Sequence, residues 1–490
     1  MHLSKSTFVN GLQCIKYLWL QKHRRDLKTP VSEALQATFD QGHEIGNLAK
    51  EYFKGGKEIE SPYYEHKKAI DATLAAVAAN HTILYEPAAQ FKDVRIRADI
   101  LKQSDESRSH WDLIEVKAST SEKGVYLPDA AIQYYVLQNS GFKMNKAYLM
   151  LINNKYVRRG PVSPKKLFKL IDMTEKVKDF LPRVPKTIQD FYDMLANKEE
   201  PGIDIGPHCE TPYECPFMDH CWACIPRDSI CECNFLGWKK IEALRDMGVK
   251  TTGQIPDDFK LTEREQKFFA VLKSKKPKID KKQVRELLDD LKYPVYFLDF
   301  ETIGPAIPQY DLARPYQNCP FQFSLRIFGE SGGQKHIEFL GDGKTDPRPE
   351  IARLLVENIG PEGSVAAYSA SFEKNVMKNL AVLFPKYRKA LKAINKRLWD
   401  LMIPFSKGYY LHPNAHCSAS IKKVLPALIP SMTYENMDIG QGSAASQAYL
   451  DLMANKFPYR EAEKTRENLL KYCAQDTLAM VKLLDILKNC

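Results

Sequence analysis

The chain has 490 residues, of which 44% are apolar and 27% charged, and its formal net charge is +10. This length fits two or three domains, and the composition is that of an ordinary globular protein. No run is long and apolar enough to span a membrane, and polar residues interrupt residues 1–22 too often for a signal peptide, so we expect a cytoplasmic protein without a membrane partner.

Hydrophobic periodicity predicts three regions: an α/β domain over residues 1–224, a helical connector over 225–291 and a second α/β domain over 292–490. In the first domain, helices are predicted at 8–20, 31–53, 64–80 and 130–140, and strands at 83–85, 94–101, 111–117 and 146–152. The connector contains charged amphipathic helices. In the second domain, strands are predicted at 295–300, 321–327 and 365–368, before a long C-terminal helix.

An acidic cluster is predicted in the first domain. Asp99 lies at the end of one strand, and Glu115 and Lys117 share one face of the next strand, because side chains two residues apart point to the same side. Two carboxylates that hold a metal and a lysine that assists the attacking water are what phosphodiester hydrolysis requires. His43, on a helix, can add an imidazole ligand, and Gln133, on the following helix, can orient the substrate or the nucleophile.

Eleven cysteines in a chain that we expect to be cytoplasmic favour metal or cluster ligation over disulfides. Cys209, Cys215 and Cys221 recur at six-residue intervals. A fourth ligand can be local, which would make a zinc site, or it can be the distant Cys14, which would make an iron–sulfur cluster that ties the N-terminus to this loop. Spacing alone favours zinc, with the local candidates Cys224, Cys231 and Cys233.

The second domain opens with an apolar strand that carries Asp299 and Glu301 on one side. Two buried carboxylates there cannot both remain ionised without a cation, and a pair of Mg²⁺ or Mn²⁺ ions is the usual remedy. Two basic runs without acids indicate an anionic polymer as a partner. They contain Lys143, Lys146, Lys155, Arg158, Arg159, Lys165, Lys166 and Lys169 in the first, and Lys386, Arg388, Lys389, Lys392, Lys396 and Arg397 in the second.

The order of these residues in the first domain resembles that of RecB-type PD-(D/E)xK nucleases with a four-cysteine iron–sulfur cluster, which include the CRISPR adaptation nucleases and the AddB-type helicase-nuclease subunits. The resemblance implies a restriction-endonuclease-like fold and a [4Fe–4S] cluster, rather than zinc, with Cys14 as the fourth ligand. It also implies Mg²⁺ or Mn²⁺ at Asp99 and Glu115. The distal cysteines are more widely spaced than usual, and Leu137 stands where a tyrosine often follows Gln133.

The second domain resembles the DnaQ-like exonucleases of the RNase H-type fold, in their tyrosine subclass. The resemblance implies that Asp299, Glu301 and Asp476 are metal ligands and that Tyr472 positions the attacking water. Tyr472 and Asp476, four residues apart, share a helix face. Glu373 stands where the family usually has an aspartate, and it is the fourth predicted ligand.

The two domains, in this order and joined by a helical connector, also resemble an uncharacterised bacterial family that is known only by a domain of unknown function. We therefore expect a metal-dependent nuclease that acts on DNA, or alternatively RNA, and includes a 3′-to-5′ exonuclease centre. The alternative function is a nucleic-acid-binding scaffold of a repair or defence assembly in which one or both centres are inactive.

Overall fold

The computed structural model describes residues 2–62, 64–105, 109–226, 228–233, 235–330, 332–416 and 418–490. The chain forms two compact units, Met1–Ile225 with Pro305–Tyr316, and Pro226–Gly304 with Gln317–Cys490. Both units combine helices with mixed sheets, which confirms the predicted α/β class. The return of Pro305–Tyr316 to the first unit was not foreseen. Among the described residues, none of the helices combines the length and apolarity needed to cross a membrane.

The first unit begins with a short strand and two helices, and most of its strands follow before residue 153. Its strands are β1 Leu3–Ser4, β2 Lys57–Glu58, β3 Ile83–Tyr85, β4 Ala88–Phe91, β5 Val94–Arg97, β6 Ile100–Gln103, β7 Trp111–Lys117, β8 Met144–Ile152 and β9 Phe168–Asp172. Its helices are α1 Lys5–Gln13, α2 Ile15–His23, α3 Glu33–Tyr52, α4 His66–Ala78, α5 Tyr126–Asn139, α6 Pro164–Leu167, α7 Thr174–Phe180, α8 Val184–Ala196 and α9 Met218–Trp222.

A six-stranded sheet in the order β2-β3-β6-β7-β8-β9 is the framework of the first unit. β7 is parallel to β8 and antiparallel to β6, so it is an internal strand. Its apolar side chains are buried, as an internal strand requires. α5 packs on this sheet through small and aliphatic side chains such as Ala131 and Leu137. The end of β7 and the buried face of α5 therefore lie side by side.

Two of the predicted elements are each divided in two. The helix predicted at 8–20 is interrupted at Cys14, whose φ of −161° and ψ of 123° are extended, so that α1 and α2 meet at this cysteine. The strand predicted at 94–101 is β5 and β6, which belong to different sheets because β5 pairs with β1 and β4. Asp99 lies in the connection between them.

The second unit contains the predicted connector helices and a further sheet. Its helices are α10 Trp238–Asp246, α11 Glu263–Ser274, α12 Lys281–Asp289, α13 Arg348–Asn358, α14 Ser371–Leu383, α15 Arg388–Lys396, α16 Ile403–Ser406, α17 Ile421–Leu428, α18 Gly442–Met453 and α19 Tyr459–Lys488. Its strands are β10 Lys278–Ile279, β11 Val295–Ile303, β12 Cys319–Phe328, β13 Gln334–Leu340, β14 Ser364–Ala367, β15 Leu398–Asp400 and β16 Tyr410–Leu411.

The main sheet of the second unit has the order β13-β12-β11-β14-β15. β11 lies at its centre, antiparallel to β12 and parallel to β14. The register of β11 against β12 shifts directly after Glu301, which marks a β-bulge at the end of the acidic stretch. α19 packs across β11 and β12, and this crossing brings the C-terminal helix to the acidic end of β11.

Candidate functional sites

Three carboxylates converge in the second unit. Asp299 and Glu301 come from β11 and Asp476 comes from α19, and one oxygen of each lies within 4.8 Å of the others. Glu301 and Asp476 are each only 8% exposed. We call these three residues the second-unit carboxylate centre. Three carboxylates at this spacing, two of them buried and Asp299 partly exposed, fit a hard divalent cation, which binds carboxylates and removes their mutual repulsion.

Hydrogen bonds fix α19 against the sheet next to this centre. The buried hydroxyls of Thr477 and Ser324 are 2.7 Å apart and share a hydrogen bond between α19 and β12. On the same helix, the Cys473 thiol donates to Oδ2 of Asp299 over 3.5 Å. These two contacts, from Cys473 and Thr477, hold the helix face that carries Asp476 against the sheet.

The electrostatics of the centre reflect a concentration of negative charge. Burial raises the pKa of Asp299 and of Glu301 well above the usual range, and the neighbouring Asp476 raises both further. Burial also raises the pKa of Asp476 to about 6, although a hydrogen bond from Tyr434 and the positive charge of Lys422 lower it. Without a cation, the centre therefore retains protons near neutral pH.

Glu373, the predicted fourth ligand, is the third residue of α14 and is only 2% exposed. It contributes to the raised pKa of both Asp299 and Glu301 but lies outside the group of three converging oxygens. Its Oε2 is buried without a hydrogen-bond partner in the described part of the chain, and burial raises its pKa to about 8. A buried carboxylate oxygen without a partner is costly, and a bound cation would satisfy it.

Tyr472, the predicted water-positioning residue, borders the centre. Burial raises the pKa of its hydroxyl, and Asp476 raises it further. The hydroxyl forms no hydrogen bond with the described residues, so it is free to bind a water or a substrate atom. Two neighbours were not predicted: Tyr434, whose ring meets that of Tyr472 edge to face at 6.2 Å, and Lys422, whose ammonium lies 5.5 Å from the Tyr472 ring centroid.

The first unit has a different arrangement around Glu115, which is fully buried. Oε1 of Glu115 accepts hydrogen bonds from Lys117 (2.6 Å) and from Lys5 (2.9 Å), the first residue of α1. Oε2 accepts one from Gln133 on α5 (2.8 Å). Lys117 also donates to Asp129 on α5 (2.5 Å). The structure thus brings together the predicted Glu115, Lys117 and Gln133, and it adds Lys5 and Asp129.

Asp99 completes this cluster, which we call the first-unit centre. Its Oδ2 accepts a hydrogen bond of 2.6 Å from the backbone N–H of Val116, and its Oδ1 lies 3.9 Å from Nζ of Lys5. Burial and the charge of Glu115 raise the pKa of Asp99 to about 7. Burial would also raise the pKa of Glu115, but Lys117 and Lys5 outweigh it and hold that pKa well below its usual range.

The first-unit centre as arranged does not fit a divalent metal ion. Both oxygens of Glu115 are engaged by lysine or amide donors, and Lys5 places a positive charge next to Asp99. His43, predicted as an imidazole ligand, is exposed on α3 and forms no hydrogen bond or ion pair with the described residues. The structure therefore does not join His43 to this cluster.

The four predicted cluster ligands do meet. Cys14, Cys209, Cys215 and Cys221 line one cavity in the first unit, together with Tyr17 and other side chains. Burial, together with the three other thiols, raises the pKa of the Cys215 thiol to about 12. No three of the four sulfurs lie within 4.8 Å of one another. We call this group the cysteine pocket; Cys224, Cys231 and Cys233 are not among its lining residues.

The comparisons with known proteins find similar proteins whose descriptions state no activity. A family model described as a domain of unknown function (DUF2779) matches residues 296–420, a stretch that includes Asp299, Glu301 and Glu373 but ends before Asp476. An uncharacterized Mycoplasma genitalium protein, MG366, is 27% identical over 210 residues, which are 39% of this chain and 31% of that protein. Its Mycoplasma pneumoniae homolog is 24% identical over 211 residues, which are 39% of this chain and 32% of that protein. The match spans about a third of each relative.

The two basic runs have different surroundings. In the first run, Lys165 lies over the ring of Tyr52 at 3.9 Å, and Arg158 donates to the carbonyl oxygens of Pro308 and Gln309. These side chains therefore support the fold. The second run includes α15, whose Lys389, Lys392 and Lys396 are exposed and form no ion pair with a described residue. In the first run, Lys143, Lys155, Arg159 and Lys166 are likewise exposed without an ion pair to a described residue, so both runs present uncompensated positive charge.

Proposed function

We propose that this chain is a metal-dependent nuclease whose second unit hydrolyses phosphodiester bonds, with DNA as the favoured substrate. The convergence of Asp299 with the buried Glu301 and Asp476, with one oxygen of each within 4.8 Å of the others, carries this proposal. The unpartnered Oε2 of Glu373 beside them supports a site built for cations rather than an acidic patch that water screens. Such a site can hold the two metal ions that phosphodiester hydrolysis commonly uses.

The fold of the second unit supports the DnaQ-like assignment within the RNase H-type group. The central strand of a five-stranded mixed sheet carries Asp299 and Glu301, and helix α19 brings Asp476 to the same place. This origin of the carboxylates, two from a strand and one from the C-terminal helix, is what the resemblance implies for a 3′-to-5′ exonuclease. Fold alone does not assign an activity, so the proposal depends on the carboxylate centre.

The residues of the centre have separable roles in this proposal. Asp299, Glu301, Asp476 and Glu373 would hold Mg²⁺ or Mn²⁺, which when bound neutralises phosphate charge and acidifies water. Tyr472 would orient the attacking water through its free hydroxyl. Tyr434 donates to Oδ1 of Asp476 and keeps this carboxylate in one orientation. Lys422, whose charge lowers the pKa of Glu301, is placed to attract the substrate phosphate.

For the first unit, we propose a PD-(D/E)xK-like domain with a [4Fe–4S] cluster in the cysteine pocket. A zinc ion with Zn–S distances of about 2.3 Å would hold tetrahedral sulfurs about 3.8 Å apart. The sulfurs of the pocket are more widely spread, because no three of them lie within 4.8 Å. This spread favours a cluster, whose several iron atoms separate the ligands. Cys14, at the junction of α1 and α2, would connect the N-terminus to the loop that carries the other three cysteines.

The test is degradation of end-labelled single- and double-stranded DNA and RNA with Mn²⁺. Product ladders that shorten from the 3′ end are expected with the unsubstituted protein and lost with Asp299→Asn. Glu467→Gln, on an exposed face of α19, is the matched control and should retain activity. Glu115→Gln tests separately whether the first unit contributes to the degradation. Undiminished degradation by the Asp299→Asn protein would refute the assignment of the second unit.

A second candidate function is a nucleic-acid-binding scaffold. The specific observation that favours it is the pairing of Glu115 with Lys5 and Lys117, which leaves the first-unit centre without free carboxylate oxygens on that residue. Retention of labelled strands without any product, in the presence or absence of Mn²⁺, would support this function over the nuclease.

A further inference from the structure

A cleft of about 660 Å³ lies in the first unit, where the start of α1, the end of α2, the segment before α4 and strand β5 meet. None of the described residues that line this cleft is acidic. We call it the basic cleft. The lining side chains that determine its chemistry are Lys22, Arg25, Tyr64, His66, Arg95 and Arg97.

Two arginines of the basic cleft come from one strand. Along β5 the burial alternates, with Val94 and Ile96 buried and Arg95 and Arg97 partly exposed. Side chains two residues apart in a strand point to the same side, so both arginines extend from the same face of β5. β1 pairs in parallel with β5 and fixes this strand against the N-terminal segment. The fold therefore presents two cations side by side on a paired strand.

Four cationic side chains of the basic cleft have no carboxylate partner among the described residues. Lys22, Arg95 and Arg97 donate hydrogen bonds to neutral acceptors, which are a glutamine oxygen, a histidine nitrogen and two backbone carbonyl oxygens. Arg25 is exposed, and its side chain forms no hydrogen bond or ion pair with a described residue. The positive charge of the cleft is therefore uncompensated.

The like charges of the basic cleft repel one another. Burial lowers the pKa of Lys22, and the charge of Arg25 lowers it further. Burial also lowers the pKa of His66, and the charges of Arg95 and Arg97 lower it further, although a hydrogen bond to a backbone carbonyl opposes this. An anion bound among these groups would relieve the repulsion, because an opposite charge favours the charged form of each.

Tyr64 makes the basic cleft suited to a nucleic-acid strand rather than to a simple anion. Its side chain lines the cleft and is 84% exposed, so little of the protein covers its ring. Proteins that bind single strands combine cationic side chains, which contact backbone phosphates, with aromatic rings, which stack on bases. The bases of a duplex already stack on one another, so a ring of this kind favours an unpaired strand.

We propose that the basic cleft binds a single strand of DNA or RNA without a metal ion. Its four uncompensated cations contact backbone phosphates, and Tyr64 stacks on a base. Lys5, which also lines the cleft, keeps its ammonium on Glu115, so the first-unit centre stays as the structure shows it. This inference shares the nucleic-acid partner of the proposed function, but it does not depend on hydrolysis.

The test is the binding of a fluorescent strand of eight thymidines to the full-length protein in EDTA, measured by fluorescence anisotropy at several salt concentrations. EDTA prevents metal-dependent cleavage. Each phosphate contact with a single strand contributes about 0.7 to the slope of log affinity against log salt. Lys22→Ala with Arg25→Ala should therefore reduce this slope by about 1.4 and raise the Kd by about tenfold or more at low salt.

The matched control removes two positive charges from exposed helix positions of the first unit outside the cleft, by Lys67→Ala with Lys186→Ala. It should leave both the Kd and the slope unchanged. Tyr64→Ala should raise the Kd by about fivefold or more, because a stacked base is lost, whereas Tyr64→Phe retains the ring and should bind normally. A uridine strand in place of thymidine distinguishes RNA from DNA as the bound polymer.

The position of the strand is read directly by photocrosslinking. A strand that carries 5-iodouracil should crosslink to Tyr64 in the unsubstituted protein, as identified by mass spectrometry of the peptides. Equal losses of affinity in the cleft and control variants, no crosslink to a residue of the cleft, or a duplex that binds as tightly as the strand would each overturn the proposal. If the double cleft variant fails to fold, Arg25→Ala alone replaces it, and the crosslink requires no variant.

This experiment separates the two proposals because it does not measure cleavage. Cleft-dependent binding by a chain that degrades no nucleic acid would refute the nuclease function and support the basic cleft. Metal-dependent degradation by the unsubstituted protein, with strand binding that the cleft variants leave unchanged, would support the nuclease function and refute the basic cleft.

Discussion

Tyr434 donates a hydrogen bond of 2.6 Å from its hydroxyl to Oδ1 of Asp476 in the second-unit carboxylate centre. Tyr434 lies in the segment between α17 and α18, far along the chain from the helix that carries Asp476. A hydrogen bond to a carboxylate favours its ionised form, and here it partly offsets burial, which raises the pKa of Asp476 to about 6. Tyr434 thus favours the ionised form of a carboxylate that we propose as a metal ligand.

Replacing Tyr434 by Phe should weaken metal binding and slow hydrolysis. A hydrogen bond to a charged group contributes about 1.5–3 kcal/mol, so the loss corresponds to an increase of about tenfold or more in the Mn²⁺ Kd at pH 7. Because the pKa of Asp476 rises without this bond, the defect should be larger at pH 6.5 than at pH 8.5. Mn²⁺ titrations at both pH values check this.

Tyr459→Phe is the matched control for this prediction, because Tyr459 is 80% exposed at the start of α19. It should leave the Mn²⁺ Kd unchanged at both pH values. An equal defect of the Tyr434→Phe protein at pH 6.5 and pH 8.5 would contradict the role of Tyr434 in the ionisation of Asp476.

The metal-free protein should lose stability as the pH rises from about 5 to 8. Burial raises the pKa of Glu373 from 4.5 to about 8, so in this window the folded chain keeps a proton that the unfolded chain releases. Stability falls with pH wherever the folded state binds more protons. In the presence of EDTA, the Tm should decrease between pH 6 and pH 8, by about 2–4 °C for each kcal/mol lost.

Divalent metal should reverse this slope, because the ions bind the deprotonated carboxylates and metal binding releases protons. With millimolar Mg²⁺ or Mn²⁺, the Tm should rise between pH 6 and pH 8. Glu373→Gln should make the EDTA slope shallower, which separates its contribution from those of Asp299, Glu301 and Asp99, whose pKa values are also raised. Identical Tm-versus-pH curves with and without metal would contradict cation binding at the second-unit carboxylate centre.

Local patterns were sufficient to predict several parts of the sites. The alternation of side chains in a strand placed Asp299 and Glu301 together, and these two residues do converge with Asp476. The α/β class followed from the same periodicities. Cys14 was expected inside one continuous helix, but its extended backbone separates α1 from α2. Helical periodicity does not reveal such a break, because the apolar pattern continues through it.

Other parts of the sites depend on long-range packing. Lys5 and Glu115 are 110 residues apart in sequence, and no spacing rule connects the first turn of α1 to the end of β7. The same holds for Tyr434, which lies in an irregular segment without a period. Lys422 belongs to an ordinary basic helix turn. Only the position of Cys473, next to Tyr472, was a sequence signal that could have indicated a second contact to the centre.

Substitution of Cys14 should remove the iron–sulfur cluster that we propose for the first unit. Protein purified without oxygen should be brown and contain about four iron atoms per chain. Cys14→Ser should lose the visible absorption and most of the iron, because Cys14 lines the cysteine pocket. Its Tm should also fall, because cofactor binding contributes to folding stability and the junction of α1 and α2 loses its anchor.

Cys224→Ser is the control for this experiment, because Cys224 is exposed in the same loop and does not line the pocket. It should retain both the iron and the absorption. Stoichiometric zinc in a colourless protein would contradict the iron–sulfur assignment, and loss of iron from the Cys224→Ser protein would contradict the ligand set.

Substitution of Glu373 should change how the rate of hydrolysis depends on the Mn²⁺ concentration. Glu373→Gln removes the negative charge but keeps the shape, so the buried Oε2 position becomes a neutral amide and one cation loses a ligand. Loss of one carboxylate contact to a hard cation should lower kcat at subsaturating Mn²⁺ by about tenfold or more, and high Mn²⁺ should restore part of the activity. Glu373→Asp keeps the charge but withdraws it by one methylene. Its kcat at subsaturating Mn²⁺ should therefore lie between those of the unsubstituted protein and the Glu373→Gln protein. If Glu373→Gln and the unsubstituted protein show the same Mn²⁺ dependence of the rate, Glu373 does not contribute to cation binding, and the three converging carboxylates of Asp299, Glu301 and Asp476 act without it.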